Sequence, residues 1–344
     1  MRTTNILAVA VMLCIATSCF GKKKITDSYT PEESGLNMVK ITDESKNTVL
    51  SPVSMSLGWM KSFGGYERVS GGYCKEAGYA WSGVRTLAVS PDGTKLAYVT
   101  RMNGQDNIMV RRSGAQSAAT QRTFRNVVDF SWGPDNRLYF ADRNSTSNIY
   151  ICSINAEQGS MITQLTNGSV NDKNPVTNDG KLVFFTRNSS KEGPFIWSYN
   201  RQDGTLTSCA RGYMPCLIPG VKDAFYCVRN SSEGRSEIWY VNYEKGQETL
   251  LVSDVNHSFT NPSLSPDGKW IVMQGNTKSS KNKKKNLDIY VVRTDGSMLT
   301  QITYSPSQDT CPVFSPDGQY IYFLSDRGNK DEYFNVWRMT FKMD

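Results

Sequence analysis

Few residues of this sequence could do acid–base or metal chemistry. His257 is the only histidine among 344 residues, so every site that needs two or more histidines is excluded. The Gly-x-Ser-x-Gly nucleophile elbow of α/β-type serine hydrolases is absent. Two carboxylates would suffice for glycoside hydrolysis, but the conspicuous aspartates belong to turn motifs. We therefore predict a protein without catalytic activity, cofactor or metal, and keep a carboxylate-dependent glycosidase or lyase as the catalytic alternative.

Arginines recur at one place in a repeated segment and form the first candidate partner-binding set. They follow aromatic-rich runs at Arg101, Arg143, Arg187, Arg229 and Arg327. A ring of guanidinium groups would suit a carboxylate-rich partner. The alternative is that each arginine binds an aspartate of its own turn, such as Asp142 or Asp326.

A run of lysines replaces the arginine in the fifth copy of that segment. The candidate contacts here are Lys278, Lys281, Lys283, Lys284 and Lys285. Such a like-charged loop is either a dedicated contact or simply a solvated charge run. The overall charge of +7 is mild and spread along the chain, so we expect no nucleic-acid partner.

Residues 45–83 form a long aromatic connection. Trp59, Tyr66 and Trp81 are the candidate contacts in it, since Tyr and Trp offer large contact area at low entropic cost. Loops of this length usually carry function or are disordered. Contact with a protein partner, binding of a glycan or peptide ligand, and a packed lid all remain open.

Two further sets of polar residues are weaker candidates. Asn174, Asn261, Asp309 and Thr310 are expected to line a central channel, where they would hold waters or a cation, or be merely hydrated. Six cysteines lie beyond the N-terminal region. One disulfide among Cys209, Cys216 and Cys227 and a set of buried free thiols are both compatible with the sequence.

The N-terminus predicts export and a lipid anchor. Arg2 precedes an apolar run from Ile6 to Ile15 that is too short to span a bilayer. The following Ala-Thr-Ser-Cys resembles a bacterial lipobox, which implies acylation of Cys19. We expect a signal peptide at 1–18, a tether at 19–34 and membrane attachment through the N-terminal lipid. The expected location is the bacterial cell envelope, at the outer membrane, on its periplasmic side or at the surface.

Internal repeats predict the elements that position these residues. The turn Ser-Pro-Asp-Gly occurs at 90–93, 265–268 and 315–318, with degenerate copies at 133–136, 177–180 and 218–221. Proline presets φ and glycine adopts positive φ, so each copy should join two antiparallel strands. A later strand has a central aliphatic residue at positions 108, 149, 196, 238, 289 and 336. Spacings of 41 to 51 residues are typical of four-stranded propeller blades.

The outermost strands predict how the ring closes. Five copies follow the third strands, beginning with a weak one at Thr123-Phe124, but the sixth blade has none. Residues 37–44 resemble the outer strand near Leu299 and should complete the last blade, leaving no open sheet edge in the ring. The predicted fold is all-β: a single six-bladed β-propeller of four-stranded antiparallel blades at 35–344, with blades 1–6 over 84–344.

The turn, the alternating strand and the Ile-Tyr or Ile-Trp strand resemble the WD40-like PD40 repeats of the TolB β-propeller family. The resemblance covers residues 84 to 341 and the closing strand. Together with the predicted lipid anchor, it leads us to expect a non-catalytic envelope lipoprotein that serves as a scaffold for an envelope protein partner. A glycan- or peptide-binding lipoprotein is the alternative. TolB itself carries an N-terminal α/β domain before its propeller, whereas here only 80-odd residues precede the blades.

Overall fold

The protein folds as a ring of six β-sheets in the computed structural model. The structure describes residues 39–40, 86–102, 105–113, 118–146, 148–159, 161–167, 170–189, 193–278, 285–327 and 334–341. These residues contain strands and turns but no helix. None of them forms a helix of the length and hydropathy needed to cross a bilayer.

Twenty-four strands make up the described fold. The closing strand and blades 1 and 2 are β1 (Val39–Lys40), β2 (Leu87–Val89), β3 (Lys95–Met102), β4 (Gln105–Arg112), β5 (Thr120–Gln121), β6 (Val127–Trp132), β7 (Arg137–Arg143), β8 (Ile149–Asn155) and β9 (Thr163–Gln164). Blades 3 and 4 are β10 (Asn171–Val176), β11 (Leu182–Ser189), β12 (Gly193–Asn200), β13 (Leu206–Arg211), β14 (Tyr213–Leu217), β15 (Ala224–Asn230), β16 (Ser236–Asn242) and β17 (Gln247–Val252). Blades 5 and 6 are β18 (Phe259–Leu264), β19 (Trp270–Lys278), β20 (Lys285–Arg293), β21 (Thr300–Gln301), β22 (Asp309–Phe314), β23 (Tyr320–Ser325) and β24 (Asn335–Thr340).

Each blade is a four-stranded antiparallel sheet whose strands follow one another in sequence. The last blade has the order β22-β23-β24-β1, so the N-terminal strand supplies its outermost position. Val39 lies opposite Arg338 and Lys40 opposite Trp337. The predicted six-bladed propeller and its closure by an N-terminal strand are confirmed.

The Ser-Pro-Asp-Gly segments form the turns between first and second strands, as predicted. In blade 1 the amide of Gly93 donates to the carbonyl of Ser90 at 2.8 Å, and Gly93 has φ of 71°. The Ser90 hydroxyl donates to Asp92 at 2.5 Å and accepts from the amide of Lys95 at 2.9 Å. The same bonds recur at Ser265 and Ser315, so one local device sets three of the turns.

The core lies between neighbouring blades. The aliphatic residues at the centres of the third strands are 0% exposed in all six blades. They are Ile108, Ile149, Ile196, Ile238, Ile289 and Val336. A strand between two sheets buries both its faces, which explains the nearly continuous apolar runs in the sequence.

A Thr-Gln-x-Thr segment ends the outermost strand of three blades, at residues 120–123, 163–166 and 300–303. In each, the glutamine side chain donates to the carbonyl of the last threonine at 2.7 to 2.8 Å. The hydroxyl of that threonine accepts from the third-strand isoleucine amide at 2.8 to 2.9 Å. Blade 1 therefore pairs its outer strand at Thr120–Gln121, and the predicted position at Thr123-Phe124 was wrong.

Candidate functional site

The ring has two different ends. We call the end with the Ser-Pro-Asp-Gly turns the turn face. We call the end where second strands pass into third strands, and where one blade connects to the next, the loop face.

Because β1 runs antiparallel to β24, Val39 lies toward the turn face and Lys40 toward the loop face. Thr86, before the first inner strand, also lies at the loop face, so both described ends of segment 41–85 share that face.

The repeated arginines lie at the loop ends of their second strands, as predicted, but three of them bind their own blade. Arg187 forms a two-pronged ion pair with Asp172 at 2.8 and 3.0 Å, and its guanidinium lies 5.0 Å from the centre of the Trp197 ring. Burial is the main cause that raises the pKa of Asp172, against the opposing effect of Arg187. The pair therefore joins two strands of blade 3.

Arg229 repeats this arrangement with a more exposed acid as its partner. Both terminal nitrogens of its guanidinium bind Glu248 at 2.7 Å, and the group lies 5.0 Å from the Trp239 ring centre. The hydrogen bonds from Arg229 lower the pKa of Glu248. The side chain of Arg229 keeps 13% of its surface exposed, which leaves it a small rim for a partner.

Arg327 is fully buried. Its guanidinium binds Asp309 at 2.5 Å and the Ser325 hydroxyl at 3.2 Å, and both members of the ion pair are 0% exposed. Partner contact by Arg327 is therefore contradicted, because the group has no accessible surface. Arg143 is half-buried, and the side chain of Arg101 lies outside the described residues.

Two of the predicted lysines, Lys278 and Lys285, lie on the longest hairpin of the described fold, which we call the lysine hairpin (strands β19 and β20). Strands β19 and β20 pair over nine residues, ending with Lys278 opposite Lys285. The other second-to-third-strand hairpins have six to eight pairs. At about 3.4 Å per residue the lysine hairpin extends roughly 3–10 Å farther. Lys281, Lys283 and Lys284, like the side chains of Lys278 and Lys285, lie outside the described residues.

The aromatic candidates Trp59, Tyr66 and Trp81 and the lipidation candidate Cys19 also lie outside the described residues. Their roles stay predictions. The only histidine has a packing role: the Nδ1 atom of His257 lies 2.8 Å from an Asp254 oxygen, and its ring stacks on Phe259 at 6.1 Å. It fastens the connection between blades 4 and 5.

Polar residues of the inner strands tie blades together. Asn174 has φ of 52°, and its amide and side-chain nitrogens donate to Asp129 of the preceding blade at 3.1 and 2.8 Å. Asn261 contacts the channel cavity described below, but Asp309 faces Arg327 inside its blade. In the described part of the chain, no group of three or more His, Cys, Asp or Glu side chains could hold a metal ion.

Residues with a left-handed backbone conformation (positive φ), each followed by proline, recur in the inner strands. Met214 and Cys311 repeat the Asn174 conformation, with φ of 53° and 52°. Their amides donate across the blade boundary to Thr186 and Gln274, each at 3.0 Å. The Asn-Pro and Cys-Pro pairs in the sequence were a usable signal for these bulges.

The five described cysteines are free thiols, so no disulfide joins Cys209, Cys216 and Cys227. Burial raises the pKa of Cys152 and Cys227 to about 12. These two thiols are therefore poor nucleophiles at neutral pH.

The turn half of the channel holds a cavity that the sequence reasoning did not predict. Its volume is about 400 Å³, and inner strands of all six blades contribute to its wall. Turn prolines of five blades surround it: Pro91, Pro134, Pro219, Pro266 and Pro316. Their recurrence in five of the six blades was a signal for this cavity, because each turn begins where an innermost strand ends.

Comparison with known proteins supports the fold. Residues 229–340 match the family model of the TolB β-propeller domain, PD40. The crystal structure of TolB from Acinetobacter baumannii is similar with a TM-score of 0.57 and 17% identity, over 73% of this chain and 64% of that chain. An oligogalacturonate lyase from Vibrio parahaemolyticus has a TM-score of 0.56 and 10% identity, over 90% of this chain and 94% of that one.

Two curated relatives are named as peptidases. The uncharacterized peptidase YuxL of Bacillus subtilis is 27% identical over 218 residues, which are 59% of this chain and 31% of that protein. The chain spans 64%, 31% and 10% of the length of three curated relatives that it matches. The six closed blades establish the fold as a six-bladed β-propeller, and residues 229–340 are similar to the TolB β-propeller domain family.

Proposed function

We propose that this protein is a non-catalytic lipoprotein of the bacterial cell envelope that binds a protein partner through its loop face. The observation that carries the proposal is the convergence of the lysine hairpin and both ends of segment 41–85 on that one face. The segment contains the aromatic candidates and the hairpin contains the basic ones. The partner is then a protein with an acidic surface that also offers apolar or aromatic contacts.

The positive charge and the length of the lysine hairpin support its role as a partner contact. Its two strands carry Lys278 and Lys285 at the end of the longest ladder in the described fold. A projecting group of like charges accelerates encounter with an oppositely charged surface and sets its orientation. Arg229 and Arg187, each partly exposed at the same face, would contribute at the rim.

The hydrogen bonds and ion pairs that five aspartates already make within their own blades support a non-catalytic role. Asp92, Asp267 and Asp317 each bind a serine hydroxyl within their own turn. Asp172 and Asp309 are committed to buried ion pairs with arginine. A glycosidase needs two carboxyl groups that face its substrate, and these five face their own blades.

The direction of β1 supports an orientation on the membrane. The strand starts near the turn face, so a tether that arrives from Cys19 joins the ring at that end. Twenty residues reach at most about 70 Å when fully extended. The loop face then points away from the lipid anchor and is accessible to partners in the envelope.

Charge reversal of the lysine hairpin tests the partner face. Lys278→Glu together with Lys281→Glu and Lys285→Glu should lower the recovery of crosslinked partner from intact cells about tenfold. The matched control reverses three exposed turn-face lysines, Lys181, Lys222 and Lys245, and should leave recovery unchanged. Equal recovery from both triple variants would refute the loop-face assignment.

The anchor has its own test. Cys19→Ala should move the protein from the membrane fraction to the soluble fraction, because the acyl chains supply the binding energy. Retention in the membrane fraction would refute lipidation at Cys19 and leave the partner experiment unaffected.

A further inference from the structure

We propose that the cavity in the turn half of the channel is a binding site for one uncharged, predominantly apolar small molecule. This inference stands apart from the partner proposal, because the cavity lies at the opposite end of the ring from the lysine hairpin. It rests on the size of the cavity and the chemistry of its wall.

The size is that of a ligand site. The cavity measures about 400 Å³, which lies within the usual range of roughly 300–1,000 Å³ for small-molecule pockets. All six inner strands form its wall, and blade-to-blade hydrogen bonds such as those of Asn174 and Cys311 hold these strands in place. The site is therefore preformed.

The wall selects against charge. None of the residues that line the cavity is Asp, Glu, Lys, Arg or His. Phe130, Leu264, Val313 and Phe314 contribute apolar surface, and the turn prolines add more. A charged group that entered would lose its hydration without gaining an ion pair, so the fitting ligand is neutral.

A matched pair of fluorescent probes tests the proposal on the unmodified protein. N-phenyl-1-naphthylamine is neutral, and 1-anilinonaphthalene-8-sulfonate carries the same rings with one negative charge. At high salt we expect saturable binding of one neutral probe per chain and affinity about tenfold or more lower for the sulfonate. Absence of saturable binding, or equal affinity for both probes, would overturn the proposal.

Variants locate the bound probe. Val313→Trp fills the cavity and should abolish binding of the neutral probe. Phe124→Ser removes an apolar side chain that is 72% exposed on the outer rim and should change nothing. Neutral-probe binding that survives Val313→Trp at an unchanged Tm, or falls with Phe124→Ser, places the probe elsewhere and overturns the site. If Val313→Trp does not fold, the relative affinities of the two probes and the binding of the neutral probe to Phe124→Ser still test the proposal.

Discussion

The aspartates of the Ser-Pro-Asp-Gly turns and the buried aspartates at the loop face behave in opposite ways. At the turn face, hydrogen bonds from Ser90 and from the backbone lower the pKa of Asp92 to about 2, and the pKa values of Asp267 and Asp317 are also lowered. At the loop face, burial raises the pKa of Asp326 to about 6 and also raises that of Asp172. The turn face uses its carboxylates to set local turns, whereas the loop face buries them between strands as partners for arginine or amides.

The turns at the turn face recur from blade to blade, whereas the hairpins at the loop face differ between blades. The turn face is built from six copies of one turn, and the cavity is a product of that repetition. The loop face carries hairpins of unequal length and one long connection, so it is the face on which a specific partner could be distinguished. The stability of variants at each face and the binding of a partner test this difference between the two faces.

The largest effect is expected where a loop-face ion pair is wholly buried. Asp309→Ala leaves the guanidinium of Arg327 without its counter-ion at 0% exposure. The free energy of unfolding should fall by about 3–5 kcal/mol, measured by denaturant titration. Glu248→Ala, which breaks the more exposed pair with Arg229, is the matched control and should cost less than about 1 kcal/mol. Equal losses would contradict a structural role that depends on burial.

A smaller effect should appear in the pH dependence of stability. The pKa of Asp326 is raised from 3.8 to about 6, so the folded protein binds this proton more tightly than the unfolded chain does. Stability should therefore rise as pH falls from about 6 to 4, and the ionised form costs up to about 3 kcal/mol at pH 7.

Asp326→Asn removes that ionisation. The variant should be more stable than the wild type at pH 7, and the difference should shrink as pH falls toward 4. Thermal unfolding across this range measures it. A wild type that loses stability on going from pH 6 to pH 4.5, with Asp326→Asn unchanged, would contradict the raised pKa.

The smallest effect concerns the repeated turn itself. Gly268 has φ of 72° with open space around its Cα, so Gly268→Ala should cost about 1–2 kcal/mol through backbone strain alone. Asn136 occupies the equivalent position of blade 2 with φ of 56°. Gly268→Asn should therefore cost less than the alanine variant in the same unfolding assay. The reverse order would show that the turn tolerates another conformation.

The turn chemistry and the blade period could be predicted from the sequence because both are local. Proline, aspartate and glycine act on their own backbone, and the aliphatic centre of each third strand recurs once per blade. The outer strand of blade 1 was misplaced because only two residues pair there, and the Thr-Gln-x-Thr bonds that fix its end join residues of different strands.

The burial of Arg327 and the cavity could not be predicted in the same way. Arg229 lies within β15, whereas Arg327 follows the end of β23 by two residues, and 13% of one side chain is exposed and 0% of the other. That difference depends on where the partner acid lies: Glu248 is on the outermost strand and Asp309 on the innermost. The cavity likewise depends on how six inner strands meet around one axis.

Site-specific photocrosslinking in intact cells tests the central claim most directly. A photoreactive phenylalanine analogue at Lys285 samples the loop face, and the same group at Lys222 samples the turn face. We expect a crosslinked partner of one defined mass from position 285 and none from position 222. Crosslinking of that partner from position 222 alone, or equally from both positions, would contradict the assignment of the loop face as the partner-binding surface.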